Sequence, residues 1–394
     1  MHCDEFKSGS RCSLPTTAWG VVLSSDCGGL FALGRLRRWW TGFVQNGVST
    51  KGDKMNLKGK MTPGGWLIGD QVSFSDSHTG GHFSDCYFVE KDGKNAFLKA
   101  LDIEKFNIVQ VLGLMAGFEY ESDLLKLCRE RKLGRIVQVI ESDRVERDPT
   151  APPVLRQVPF LIFELAEGDI RDSVDLSKAV SDQWRFQILH QTTLALLQLH
   201  REQIAHQDLK PSNVLRFGDQ RLKLGDLGRS SLRGKPAPHD GMAIAGAHNY
   251  APFEQSYSYL REDWLERRLS ADVFHLGCLV VFSFTNICFP EYVLSKLAAP
   301  YRPGNWGDPY EMVIVHIKAA IVEALAELSS ELPERFRTEL VDIVRDLCHP
   351  DPTRRGRTGV ERRVNPGPLW LERYVSRFDI LEKKARIKQV VQRA

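Results

Sequence analysis

The sequence predicts an α+β fold of two parts, a smaller strand-rich part followed by a larger, mainly helical one. Three observations carry this. Short apolar runs bounded by turn residues dominate residues 66–166. After Glu167 the pattern changes to longer segments with apolar residues at helical spacing. Strands gathered before helices, instead of alternating with them, give the α+β order.

Composition sets the outer limits. The chain has 394 residues, 42% hydrophobic and 26% charged, close to globular averages. That excludes a wholly disordered chain, a collagen-like fibre and a small disulfide scaffold. With 53 basic and 50 acidic side chains the net charge is +3, so no nucleic acid is expected as the main partner. The 8 cysteines show no zinc-knuckle or dithiol spacing, and several sit in apolar runs. Free thiols of that kind suit a reducing compartment, and a cytoplasmic location is expected. No transmembrane segment is expected. Residues 19–36 are interrupted by Ser24, Ser25, Asp26 and several glycines. Residues 274–294 carry His275, Asn286, Pro290 and Glu291, and read as a helix buried in a large core.

The elements follow in order. Residues 1–62 are rich in Gly, Ser and Thr and lack a period, with Trp19, Trp39 and Trp40 near the basic Arg35, Arg37 and Arg38. They are expected to form a poorly ordered extension; the alternative is an interfacial or nucleic-acid-binding arm. The strand-rich part spans 63–166. Within it, residues 86–89 and 96–101 flank Lys91-Asp-Gly-Lys94, a hairpin signal. Residues 106–131 read as helix, with Phe118, Leu124, Leu125 and Cys128 near helical spacing. Residues 135–140 and 158–165 read as strands around a Pro-containing loop. The helical part spans 167–370. Ser181 is placed to cap a helix over 184–200. Short strands at 214–215 and 222–224 precede a long Gly/Pro/Ser/His-rich loop over 229–248. Helical patterns return at 271–285, 312–328 and 335–347. A basic helix closes the chain within 371–394; it either packs on the helical part as a solvated helix or docks a partner.

Two segments carry chemistry. In His206-Gln-Asp-Leu-Lys-Pro-Ser-Asn213 an Asp and an Asn stand close together in a loop between a helix and a short strand pair. In Asp226-Leu-Gly228 an Asp stands at a strand end, with a Gly that permits a sharp turn. Phosphoryl transfer needs such parts: a carboxylate that orients the attacking hydroxyl and oxygen donors for a hard cation.

At these residues the chain resembles the eukaryotic-type (Hanks-type) Ser/Thr protein kinase family, as a divergent member. The first stretch is similar to the catalytic loop His-Arg-Asp-Leu-Lys-Pro-x-Asn, with Gln207 for Arg, and the second to Asp-Phe-Gly. Ala96-Phe-Leu-Lys99 resembles Val-Ala-Ile-Lys, with Glu121 (or, alternatively, Glu119) as the helix partner of Lys99. Thr79-Gly-Gly-His-Phe-Ser84 resembles a degraded glycine-rich loop. Gly246-Ala-His-Asn-Tyr-Ala-Pro-Phe-Glu254, Asp272-Val-Phe-His-Leu-Gly277 and Asp351-Pro-Thr-Arg-Arg355 resemble the later motifs, with Glu254 pairing Arg355. About seven motifs thus fall in the family's order across roughly three quarters of the chain.

The resemblance implies a two-lobed protein kinase fold, with a small β-rich lobe and a larger helical lobe. It implies transfer of the γ-phosphoryl group of ATP to Ser/Thr hydroxyls of a protein substrate, with Mg²⁺. Asp208 would orient the acceptor, Lys210 would stabilise transferred charge, and Lys99 fixed by Glu121 would align the phosphates. Asn213 and Asp226 would hold the metal. Gly80, Gly81, Phe83, Lys99, Glu164 and Ala166 would bind the nucleotide, with Phe163 as gatekeeper. Four departures favour an alternative, a pseudokinase that binds nucleotide or scaffolds a partner: Thr79, Phe97 in place of a small Ala, Ala247 for Thr, and Phe253 for Pro. Gln207 implies activity independent of loop phosphorylation. A small-molecule kinase is opposed by Lys210, the Glu254/Arg355 pair and the long loop.

Overall fold

Asp92 and Gly93 both adopt positive φ, 51° and 71°, as the turn of a tight hairpin demands. They join β2 (Ser84–Lys91) to β3 (Lys94–Leu101) in unbroken antiparallel register, with Cys86 opposite Lys99 and Phe88 opposite Phe97. The computed structural model describes residues 56–72, 84–103, 106–147, 150, 156–356 and 371–391. Residues 1–55 of the expected 1–62 extension lie outside it, as do the glycine-rich-loop residues Gly80, Gly81 and Phe83.

With β1 (Leu67–Gln71), β4 (Val139–Glu146) and β5 (Gln157–Glu164), the hairpin forms a five-stranded sheet ordered β1-β2-β3-β5-β4. Alternation along β3 buries Ala96, Leu98 and Ala100 on one face and leaves Phe97 and Lys99 half-buried on the other. Helix α1 (Ile108–Glu130) begins at a capping box: Asn107 Oδ1 accepts from Gln110 N at 3.0 Å, and Gln110 Oε1 accepts from Asn107 N at 3.1 Å. Phe118, Glu121, Leu124, Leu125 and Cys128 are buried along it.

Two boundaries in this lobe differ from expectation. The lobe starts before residue 63: Leu57 is fully buried, and Gly59 N and Ile68 N bond to Ile68 O and Lys60 O, so residues 56–62 fold back on β1. The strand expected at 135–140 instead runs from Val139. Residues 135–137 are claimed by the other lobe: Leu224 N bonds to Arg135 O and Val137 N to Leu224 O, both at 2.9 Å.

The second lobe is built on α2 (Asp182–Arg201), capped by Ser181 through Trp184 N, and on α3 (Ser270–Thr285), of which all but one residue are buried. β6 (Gly168–Asp169) precedes α2, and between the two helices come β7 (Ile204–Ala205), β8 (Val214–Phe217), β9 (Arg221–Leu224) and β10 (Ser231–Leu232). The expected single buried helix over 274–294 is two. Asn286, at φ 58°, ends α3, and α4 (Phe289–Lys296) starts anew with Pro290 in its first turn. Helices α5 (Tyr310–Glu331), α6 (Arg337–Leu347) and α7 (Leu371–Val391) complete the lobe.

The basic α7 packs along α2. Leu371, Tyr374, Phe378, Leu381 and Ala385 are buried at alternating three- and four-residue spacing. Its apolar stripe is therefore used within the lobe, and Lys383, Lys384 and Arg386 stay exposed. Among the described residues one helical stretch, Leu265–Thr285, is long and apolar enough to cross a membrane, and 94% of that window is buried in the core.

Candidate active site

The site begins with the half-buried Lys99 on β3. Its ammonium donates to Glu121 Oε1 and Oε2 of α1 at 3.0 and 2.9 Å and to Asp226 Oδ1 at 3.2 Å. One cation thus joins the sheet, α1 and the loop after β9. Burial alone would lower the Lys99 ammonium, but the Asp226 and Glu121 carboxylates outweigh it and hold the lysine above its ordinary range. Burial raises the Glu121 carboxyl against the pull of Lys99, whereas Lys99 holds Asp226 well below the usual carboxylate range. Glu119, the other candidate partner, bonds instead to Arg144 at 2.8 Å.

The catalytic loop is hung from a buried acid. Asp272, fully buried in the first turn of α3, accepts from His206 N (2.7 Å) and Gln207 N (2.6 Å) and lies 2.9 Å from His200 Nε2. Burial opposes its charge, yet the hydrogen bond and charge of His200 keep its carboxyl below the ordinary range. Gln207 is thereby held at φ 61°, a conformation that a side chain of this size rarely adopts. His206 braces the second strand end, its Nε2 lying 3.0 Å from Gly225 O. Asp226 itself sits at φ 58°, which turns its carboxylate out of β9 and toward Lys99.

Asp208 is the focus. Its Oδ1 accepts from Ala247 N at 2.8 Å, and its Oδ2 accepts from Lys210 Nζ at 2.7 Å and from Asn213 Nδ2 at 3.3 Å. Asn213 Nδ2 also donates to Asp208 O at 2.8 Å, which directs its Oδ1 the other way. Ala247 cannot supply the hydroxyl that the resemblance leads one to expect at its position; its backbone N–H makes the bond to Asp208. That approach requires Gly246, where a Cβ would overlap the Gln207 carbonyl oxygen and come within 2.7 Å of Asp208 Oδ1.

Glu164 and Ala166 lie at the connection between the lobes. The Glu164 carboxylate bonds Lys223 of β9 at 2.6 and 2.7 Å and accepts from Gln138 N at 2.7 Å. Its side chain is thus an anchor, and its backbone N–H is taken by Gln138 O at 3.2 Å. Phe97 shares the Lys99 face of β3, between cross-strand neighbours Phe88 and Phe163. The oxygens of Asn213 and Asp226 form a hard donor set, and the Asp226 side chain is 44% exposed. That chemistry suits Mg²⁺, which takes one or two protein oxygens and keeps the rest of its shell for phosphate and water.

Farther out, the buried Arg355 donates to Glu254 through two nitrogens, at 2.9 and 2.7 Å. The pair fixes the end of the long loop, where the helical turn Phe253–Ser256 begins. Phe253 fills the position expected to hold Pro, buried edge-on against Phe274. Sequence reasoning missed the part played by His200, whose position on α2 carries no motif. It also missed Arg268, a buried arginine that reaches Gln207.

This arrangement of a Lys–Glu pair, a loop carboxylate with its Lys and Asn, and a second Asp beyond a short strand defines the class of protein. A family model described as the protein kinase domain matches residues 80–360, and the chain belongs to that family. Among curated proteins it is similar to mitogen-activated protein kinase 12 of Oryza sativa subsp. japonica, 26% identical over 267 residues, covering 66% of this chain and 42% of the relative. Mitogen-activated protein kinase 13 of Oryza sativa subsp. indica is 25% identical over 266 residues, with 66% and 48% covered. CBL-interacting protein kinase 26 of rice is 23% identical over 282 residues, with 70% and 48% covered. The chain spans about half the length of the curated relatives it matches.

Proposed function

We propose that the chain is a Ser/Thr protein kinase that uses Mg-ATP. The observation that carries this reading is the hydrogen-bonded state of Asp208: Ala247 N, Lys210 and Asn213 converge on one buried carboxylate. Such a carboxylate is fixed in direction, so an acceptor hydroxyl bonded to it is aimed at the phosphoryl group and gives up its proton there. Lys210 lies beside that point and offsets charge on the transferred group. Lys99, held by Glu121, aligns the nucleotide phosphates from the opposite side of the cleft. Asn213 and Asp226 would hold Mg²⁺, which neutralises phosphate charge when bound.

The backbone of residues 164–166 offers hydrogen-bonding groups to adenine, and Phe97 narrows the slot beside it. Lys210, two residues after Asp208, is the feature that favours Ser/Thr over Tyr acceptors. Free, buried cysteines at 86, 128, 278, 288 and 348 support a reducing, cytoplasmic setting.

The test is label transfer from γ-labelled Mg-ATP to a generic protein acceptor, followed by phosphoamino-acid analysis. Label on serine and threonine is the expected result. Nucleotide binding without any transfer would replace this reading with the pseudokinase.

A further inference from the structure

We propose that Arg268 is a positioning residue for the catalytic loop and that Asp240 is its resident anion, so that the long loop after Gly228 is clamped without a phosphate. The activity arm of this proposal rests on the function proposed above; the structural arm does not. Arg268 lies on a π-helical turn, Leu265–Leu269, that leads into α3, and the wider turn directs it inward. It is buried, and its two terminal nitrogens divide their work. Nη1 donates to Gln207 Oε1 at 2.6 Å; Nη2 donates to Asp240 Oδ1 at 2.7 Å and to Asp240 O at 3.3 Å. Arg267 adds a bond to Asp240 O at 2.6 Å. Gln207 then donates to Arg229 O and Ser231 Oγ, both at 2.7 Å. The residue before Asp208 is thus tied to both ends of segment 229–242.

The sequence agrees with this assignment. Between Leu232 and Tyr250 there is no Ser, Thr or Tyr, so that stretch carries no hydroxyl to phosphorylate. Asp240 is the only acid in residues 229–249. Ser230 and Ser231, the nearest hydroxyls, are buried. The clamped segment also reaches α1: Leu232 N donates to Tyr120 Oη at 3.0 Å, Lys235 pairs with Asp123 at 2.9 Å, and the His239 ring stands edge-on to Tyr120. Tyr120 adjoins Glu121, so one anion on the loop supports both halves of the site.

The test uses the full chain treated with phosphatase, with Asp240→Asn, Asp240→Glu and Arg268→Gln variants. Asp240 is 45% exposed at its side chain, so Asp240→Asn leaves the core intact. The expected results are wild-type transfer that survives phosphatase and a rise of at least about tenfold in amide exchange over 231–242 in Asp240→Asn and Arg268→Gln. With it, kcat falls about tenfold, the loss expected of one charge-assisted hydrogen bond, while the KM for ATP moves less than about twofold. Asp240→Glu, which keeps the anion, restores both values. Loss of wild-type transfer on phosphatase treatment, or loop exchange in Asp240→Asn equal to wild type, overturns the proposal. A wild type that transfers nothing would overturn the proposed function, while the exchange comparison would still decide the clamp.

Discussion

The Asp272 carboxylate accepts the backbone N–H of Gln207 at 2.6 Å, and this bond from the buried helix holds the catalytic loop in its left-handed turn. Asp272 takes the His206 N–H as well, so the loop hangs from one side chain of α3. Asp272→Asn puts a donor where only donors face it. Leaving one or two buried N–H groups unpaired costs about 1–3 kcal/mol each. A fall in thermal midpoint together with loss of transfer is expected, measured by calorimetry and label incorporation. An unchanged midpoint would mean that the loop is held elsewhere.

Gly246→Ala is expected to act differently. Its Cβ would push on the Gln207 carbonyl and Asp208 Oδ1, displacing the carboxylate without opening the core. A displacement of about 1 Å at a reacting group costs roughly 100-fold in rate. Steady-state kinetics should show kcat reduced by that order while the thermal midpoint shifts little.

Phe97→Ala probes the nucleotide slot. The ring shares the Lys99 face and stands between Phe88 and Phe163. If it narrows the slot, its removal lowers the KM for ATP by about tenfold, the scale of a steric change in a hydrophobic pocket. A higher KM would show that the ring stacks on the base.

The pH dependence of stability has a definite sign. Burial lowers His239, His275 and His349 to about 4 each. In the unfolded chain they titrate near ~6.5, so between about 6.5 and 4 the unfolded state binds more protons and stability falls as pH falls. Each can contribute up to about 1.4 kcal/mol per pH unit inside that window. Glu121 and Asp346, raised by burial, act in the opposite direction, but His190, lowered by burial, adds to the three. The thermal midpoint should drop by at least about 5 °C from pH 7 to pH 5.

How much was legible in the sequence depended on distance along the chain. Asp208, Lys210 and Asn213 lie within one loop, so the resemblance could name all three from a single stretch, and the structure brings them together. The hairpin at Asp92-Gly93 was equally local, because the turn needs positive φ at both residues. What was misread depended on tertiary claims. Ile136 and Val137 have strand composition, but β9 of the other lobe takes them out of the sheet. The helical pattern over 271–285 matches α3, but the longer run 274–294 is two helices, and Asn286, able to adopt a left-handed turn, was the signal for the break. Arg268 was unreadable: its partners Asp240 and Gln207 lie 28 and 61 residues away, and no spacing rule links them.

In the proposed function Asp208 serves the transfer step while other groups bind the nucleotide. The most direct measurement compares wild type with Asp208→Asn for Mg-ATP binding by calorimetry and for single-turnover transfer to a protein acceptor. Equal binding is expected, with a loss of transfer of about a thousandfold or more, the upper range for a positioned acid–base group. Transfer retained in Asp208→Asn at near the wild-type rate would contradict it.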